Sequence, residues 1–405
     1  MSFVEALKGA IADVRQMRTM GEKMQGIQSY ARILGSEVVG MVSMVPYACK
    51  SLYLYHSVPR YEATRHENMA SQVSIVHDKK YGTESTRNVM DIYVPAGCNL
   101  EHHNHPVVLF VHGGVWATGS KWHYSPLATR LAEEGIVTCV MEYSLFPSCE
   151  TSAMVKEVSQ ALDTVFDMCP THDGGNVVLA GHSAGAHLSA LAILERAIDG
   201  ARMPDAFVGM AGVYHIHRHF EYEKARGVHR LSTMERAVGG RKKFDANSPT
   251  VLLRRATLVA GSSSPTCPMA PPELGVELHG DSIPQRIGLQ PPQIDTYSTI
   301  YDENMNEGDE LRRMSASEVG RLPPIYLMAS TCGDTTVPWT ESYEFYTMLH
   351  ACGLSHARLL LYNQAGHGDY ATRWQKKKKG TLSEYVHDLP DFAQDFIHII
   401  KAPRV

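Results

Sequence analysis

Ser183 lies between two glycines in Gly181-His182-Ser183-Ala184-Gly185, a spacing that can present a serine for nucleophilic attack. The apolar run at 176–180 precedes it and the helical pattern at 186–198 follows, which predicts a strand turning sharply into a helix. Strand and helix nearly touch at such a turn, so only small residues fit two positions either side of the serine. The turn would hold the hydroxyl at a helix N-terminus, where partial positive charge favours a developing anion. Glycine-flanked serines also occur in plain turns. The chemistry therefore depends on a base and an acid that can reach Ser183.

Where a strand–turn–helix presents the nucleophile, the chain order is serine, acid, histidine, with the last two on loops after later strands. Asp334, in the stretch STCGDTTVP, directly follows the apolar run at 324–329. His367, in YNQAGHGDY, follows the run at 357–362. Taken singly, they could be a turn aspartate and a loop histidine; their joint order favours an acid and a base. His350 and His398 fall in amphipathic helical patterns, and His356 precedes its strand. Acyl transfer also needs donors for an oxyanion. The stretch VHGGVW at 111–116 ends an earlier strand pattern and offers the amides of Gly113 and Gly114, with that of Ala184 as a third. Other histidines fit less well. His215, His217 and His219 would share one face of a strand, as metal ligands could, but no acidic or cysteine partner stands at ligand spacing. A pocket rim or solvated face is the better expectation, and no metal or cofactor is implied.

These residues require elements to carry them. Runs at 72–78 and 88–95 alternate apolar and polar residues, as strands with one wet face do. Runs at 106–114, 136–143, 176–183, 205–212, 324–331 and 357–364 are nearly continuous and apolar, as suits strands buried on both faces. Helical patterns lie between them, which predicts an α/β fold with a mostly parallel central sheet and helices on both faces. The chain divides into an N-terminal helical segment at 1–70 and a main domain at 71–401. Within the latter, 256–317 is rich in Pro, Ser and acidic residues and reads as a disordered insertion.

The 405 residues are enough for one large α/β domain with additions or for two small domains, and 44% hydrophobic with 20% charged residues reads as a soluble globular protein. A net charge of -5 spread along the chain excludes broad nucleic-acid binding. The eight cysteines include no C-x-x-C pair and suggest no disulfide framework. Glu5 and Lys8 interrupt what a secretory signal would need as its apolar core. The uncharged run at 38–49 is too short to span a bilayer, which leaves a helix packed on the main domain or a membrane-surface anchor. Lys376 to Lys379 form a basic run, read as a solvated loop, with an anionic membrane surface as the alternative.

With these motifs assembled, the chain resembles the α/β-hydrolase superfamily and, within it, the isoprenylcysteine α-carbonyl methylesterase-like group. The likeness runs through YGTESTRNVMDIYVP, VHGGVWATGSKWHYSPLATRLAEEG, GHSAGAHLSALAILERAI, GMAGVYHIHRHFEYEKARG, LPPIYLMASTCGDTTVP and GHGDY, most of 81–370 apart from the insertion. It implies a serine esterase that demethylates prenylcysteine methyl esters through an acyl-enzyme. Ser183 would be its nucleophile, His367 its base and Asp334 the partner of that base, with Gly113, Gly114 and Ala184 as oxyanion donors. Val115 stands where many related lipases have a third glycine, and still offers an N–H. Val115, Trp116, Trp122 and Tyr214 would line the substrate pocket. The expected partner is a small-molecule or lipidated-cysteine ester, with peripheral membrane association and an intracellular address, in the cytoplasm or on the cytoplasmic face of an internal membrane (endoplasmic reticulum or Golgi). An arylformamidase, a general carboxylesterase and a non-catalytic binding protein of the same fold are the alternatives.

Overall fold

The structure, a computed structural model, describes residues 45–61, 72–168, 176–229, 232–253, 276–279, 314–363, 365–374 and 389–402, with a few single positions between 19 and 28. Among the described residues nine strands form one sheet: β1 (Ser74–Lys80), β2 (Val89–Val94), β3 (Val107–Val111), β4 (Val137–Met141), β5 (Val177–His182), β6 (Ala206–Met210), β7 (Val276–His279), β8 (Ile325–Ser330) and β9 (Ala357–Tyr362). Their order is β1-β2-β4-β3-β5-β6-β8-β9-β7. β2 pairs antiparallel with both β1 and β4, and every pairing from β4 to β7 is parallel. β7 and the buried Met314 fall inside the stretch expected to be disordered, and the short capped helix Ala316–Val319 begins at its end. The remainder of that stretch, 256–275 and 280–313, lies outside the described residues, as do Lys376 to Lys379.

The helices that position the site are α1 (residues 45–57), α2 (Ser125–Glu133), α3 (Thr151–Met168), α4 (Ala184–Asp199), α5 (Ile216–Ala225), α6 (Trp339–Ala351) and α7 (Asp391–Lys401). Helices cover both faces, since β3 and β5 are buried at every position and apolar throughout apart from Gly181 and His182 at the end of β5. Val107, Leu109 and Val111 of β3 pack into a core with α3, α4 and α6. Val108 and Phe110 point the other way, into a core with α2 and α7. The strand period of two thus divides one apolar run between two cores.

Topology opens the crevice. The chain leaves β3 for β4 on one side of it and then crosses back to β5 on the other. Loops after β3 and β5 therefore diverge, and open parallel sheets bind ligands at the carboxyl ends of strands at such a switch point. The loops after β8 and β9 reach the same end.

Several histidines are buried, and their titration makes a prediction. Burial pushes His112 and His187 down to about 4 and His182 down to about 3. In the unfolded chain each would titrate near about 6.5. A folded pKa below the unfolded one means that the unfolded chain binds more protons between the two values. Stability is therefore lost as pH falls from about 6.5 towards 4. His219 acts oppositely: burial disfavours its charge, but the bond to Glu341 outweighs that and raises its pKa. Urea titrations should show stability falling by up to about 4 kcal/mol per pH unit from the first three, less the share returned by His219. Constant stability between pH 7 and 5 would contradict this account of the core.

Candidate active site

Ser183 terminates β5 and precedes α4 with φ 55° and ψ −122°. A left-handed φ is strained for a non-glycine residue, so the surroundings must enforce it. They do so by proximity. A Cβ on Gly181 would stand 2.5 Å from the Gly185 carbonyl oxygen, and one on Gly185 only 2.1 Å from that of Val111. No larger residue fits either position, and the Ser183 amide is tied to the Met210 carbonyl at 2.9 Å.

The structure brings the two distant residues to this turn. His367 Nε2 lies 3.0 Å from Ser183 Oγ, and His367 Nδ1 lies 2.8 Å from Asp334 Oδ2. The other oxygen of Asp334 accepts from the amides of Thr336 and Val337 at 2.8 and 2.9 Å. Burial works against its charge, but the His367 bond and these amides outweigh it and hold the carboxyl below its ordinary pKa. Asp334 is therefore ionised at neutral pH. It accepts from Nδ1–H, which leaves Nε2 as the acceptor facing Ser183. The turn that carries His367 is closed by Asp369, whose Oδ2 accepts from the Gly366 amide at 2.9 Å.

The loop after β3 departs from expectation. The Gly113 amide donates to the Tyr124 hydroxyl at 2.9 Å and is not available to a substrate. Among the described residues nothing accepts from the amides of Gly114, Val115 or Ala184. Val115 and Trp116 both take left-handed φ, 48° and 60°. For a β-branched residue that costs about 1–3 kcal/mol and persists only where neighbours over-determine it. Thr233 Oγ1 donates to the Val115 carbonyl, the Phe146 amide to the Trp116 carbonyl, and Trp116 Nε1 to His187 Nδ1 at 3.1 Å. Arg87 anchors the far end through the Gly119 carbonyl at 3.1 Å.

The expected pocket residues separate. Val115 is 42% exposed beside the crevice, but Trp116 is 2% exposed because its indole is bonded inside the core. Tyr214 is fully buried and stacked on Phe345. Trp122 is half-buried on the turn before α2, against the ring of His123. The histidine cluster is also not a strand: His215 caps α5, and His219 reaches back to the buried Glu341. Among the described residues no three His, Cys, Asp or Glu side chains are grouped to hold a metal ion. His182 and Tyr124 joined no expectation, although His182 stands inside the serine motif.

Residues 90–208 match the BD-FAE family model. The chain is 33% identical over 189 residues to a probable isoprenylcysteine alpha-carbonyl methylesterase of Oryza sativa subsp. japonica, covering 43% of this chain and 44% of the rice protein. It is 32% identical over 127 residues to a kynurenine formamidase of Danio rerio, covering 31% of this chain and 41% of that protein. The chain thus spans less than half the length of the curated relatives it matches. Two solved structures share the architecture at 14% identity. A hormone-sensitive lipase from a metagenome library has a TM-score of 0.53, covering 92% of this chain and 98% of its own. An inhibited esterase B from Lactobacillus rhamnosis has a TM-score of 0.51, covering 86% and 90%.

Proposed function

We propose that this chain, whose fold is that of the α/β-hydrolases, is a serine hydrolase of carboxylic esters that works through an acyl-enzyme. The observation that carries the proposal is the continuous Ser183–His367–Asp334 chain at the strand–helix turn. His367 Nε2 takes the Ser183 proton as Oγ attacks the ester carbonyl, and Asp334 stabilises the imidazolium that forms. The oxyanion is held by the free amides of Gly114, Val115 and Ala184, each donor worth about 10²- to 10³-fold in rate. His367 then protonates the leaving alcohol, and afterwards deprotonates the water that releases the acid. A non-catalytic binding protein would have no use for this geometry.

For the substrate we propose a prenylcysteine methyl ester. The support is the similarity to the plant methylesterases, since Trp116 and Tyr214 are committed to the core. Burying a methylene is worth about 0.8 kcal/mol, so even five from a prenyl chain would contribute about 4 kcal/mol. Peripheral attachment to a membrane fits an exposed face of α1, where Val45, Leu52 and Tyr53 are 54%, 44% and 72% exposed. Among the described residues no helix is long and apolar enough to cross a membrane.

The kynurenine formamidase similarity supports a second reading, hydrolysis of an N-formyl aromatic amine. Assay of S-farnesylcysteine methyl ester, S-methylcysteine methyl ester and N-formylkynurenine under one condition separates the two. The farnesyl ester should exceed the small ester by about 10²- to 10³-fold in kcat/KM. Equal rates on the two esters, or faster turnover of the formamide, would refute the prenyl substrate and leave the serine chemistry standing.

A further inference from the structure

Behind the reacting atoms, three segments far apart in sequence meet through one buried polar chain. The Gly113 amide donates to Tyr124 Oη at 2.9 Å, and Tyr124 Oη lies 2.9 Å from His182 Nδ1. His182 Nε2 lies 2.9 Å from the His367 carbonyl oxygen. An amide can only donate, so Tyr124 accepts from Gly113 and keeps its own proton for His182 Nδ1. The proton of His182 is thereby left on Nε2, where it donates to the His367 carbonyl. Protonation at both nitrogens would break this order, and burial beside His367 keeps His182 neutral down to about pH 3.

We propose that Tyr124 and His182 are positioning residues that hold the oxyanion loop, the serine turn and the histidine loop in one register. Neither side chain offers a free group to a substrate. Tyr124 is 5% exposed and His182 is 5% exposed, and both polar ends are consumed by the chain just described. Tyr124 fixes the loop end at Gly113, one residue before the free amides of Gly114 and Val115. His182 adjoins Ser183 in sequence and grips the backbone of the residue that deprotonates it, with the two imidazole rings 4.8 Å apart. A second tie runs outside. Tyr47 Oη of α1 sits between the carbonyl oxygens of His123 and Ala371, 2.9 Å from the latter, so its one proton bridges the Tyr124 turn and the helix after His367. The same two segments are thus bound together from inside and outside. Displacing a catalytic group by about 1 Å can cost about 10²-fold in rate, so the relay acts on turnover rather than on substrate affinity.

This inference rests on the serine-hydrolase proposal, and its test separates the two. Turnover of p-nitrophenyl acetate, the rate of labelling by a fluorophosphonate and the thermal midpoint are measured for Tyr124→Phe, His182→Leu, His182→Gln and the double variant Y124F/H182L. Tyr124→Phe and His182→Leu should each lower kcat and the labelling rate by about 10- to 100-fold, with KM within about threefold of the parent. Glutamine places an N–H where His182 Nε2 stands, so His182→Gln should recover much of the loss. The double variant should be little worse than His182→Leu, because both changes break one chain. If Tyr124→Phe and His182→Leu kept kcat within twofold, the relay would be wrong while Ser183 remained the nucleophile. If kcat fell only in step with a lost thermal midpoint and glutamine rescued nothing, these residues would be structural alone. Parent protein that neither labels nor hydrolyses any ester would instead remove the hydrolase proposal.

Discussion

Ser183→Ala is expected to leave the fold intact and to lower kcat by about 10⁴-fold or more. The side chain is a small one at the end of β5, and among the described residues its hydroxyl bonds only to His367 Nε2. Alanine therefore removes the attacking oxygen without removing any contact between strand and helix. His367→Ala should be nearly as severe, because base and nucleophile serve one step. The double variant should be no worse than either alone. Steady-state hydrolysis of a small ester, with circular dichroism as the control for folding, checks all three. A serine variant that kept a tenth of parental turnover would remove Ser183 from the chemistry.

Asp334→Asn is expected to cost about 10⁴-fold in kcat, for a reason specific to its neighbours. The amides of Thr336 and Val337 donate to Oδ1, so an asparagine there must keep its carbonyl oxygen in that place. Its amide nitrogen is then directed at His367 Nδ1, and it can only donate. Nδ1 would become the acceptor, with the proton moved to Nε2 facing Ser183, where a base is required. Asp334→Ala leaves the tautomer unforced, so it should be no more damaging than Asp334→Asn, although asparagine is closer in shape. Parallel measurement of kcat for the two variants checks this. A nearly active asparagine variant would mean that Asp334 does not orient His367.

How much of this was legible in the sequence depended on the range of the physics involved. The β3 and β5 runs and the Gly181/Gly185 spacing are local signals, and they placed the sheet and the serine turn. Asp334 and His367 could be found because each directly follows a strand whose carboxyl end must face the crevice. Gly113 was misassigned because its amide is consumed by Tyr124, eleven positions away in sequence, and nothing local reports that the turn at Lys121–Tyr124 folds back. Trp116 and Tyr214 were misplaced for a related reason. An aromatic residue beside a glycine loop can turn to the crevice or to the core, and the decision lies with His187 and Phe345. The strand that would have aligned His215, His217 and His219 as metal ligands does not form: Ile216–Ala225 is a helix that His215 caps, and the buried Glu341 captures the amides of Tyr214 and His215 at 3.1 Å. That partner is supplied by α6.

The central claim is that Ser183 is the nucleophile activated by His367. Incubation with a fluorophosphonate, followed by peptide mass spectrometry, tests it most directly. One adduct per chain is expected, on Ser183, with hydrolysis lost in proportion to labelling and labelling abolished in Ser183→Ala and strongly slowed in His367→Ala. An adduct on another residue, or hydrolysis that survives complete modification of Ser183, would contradict it.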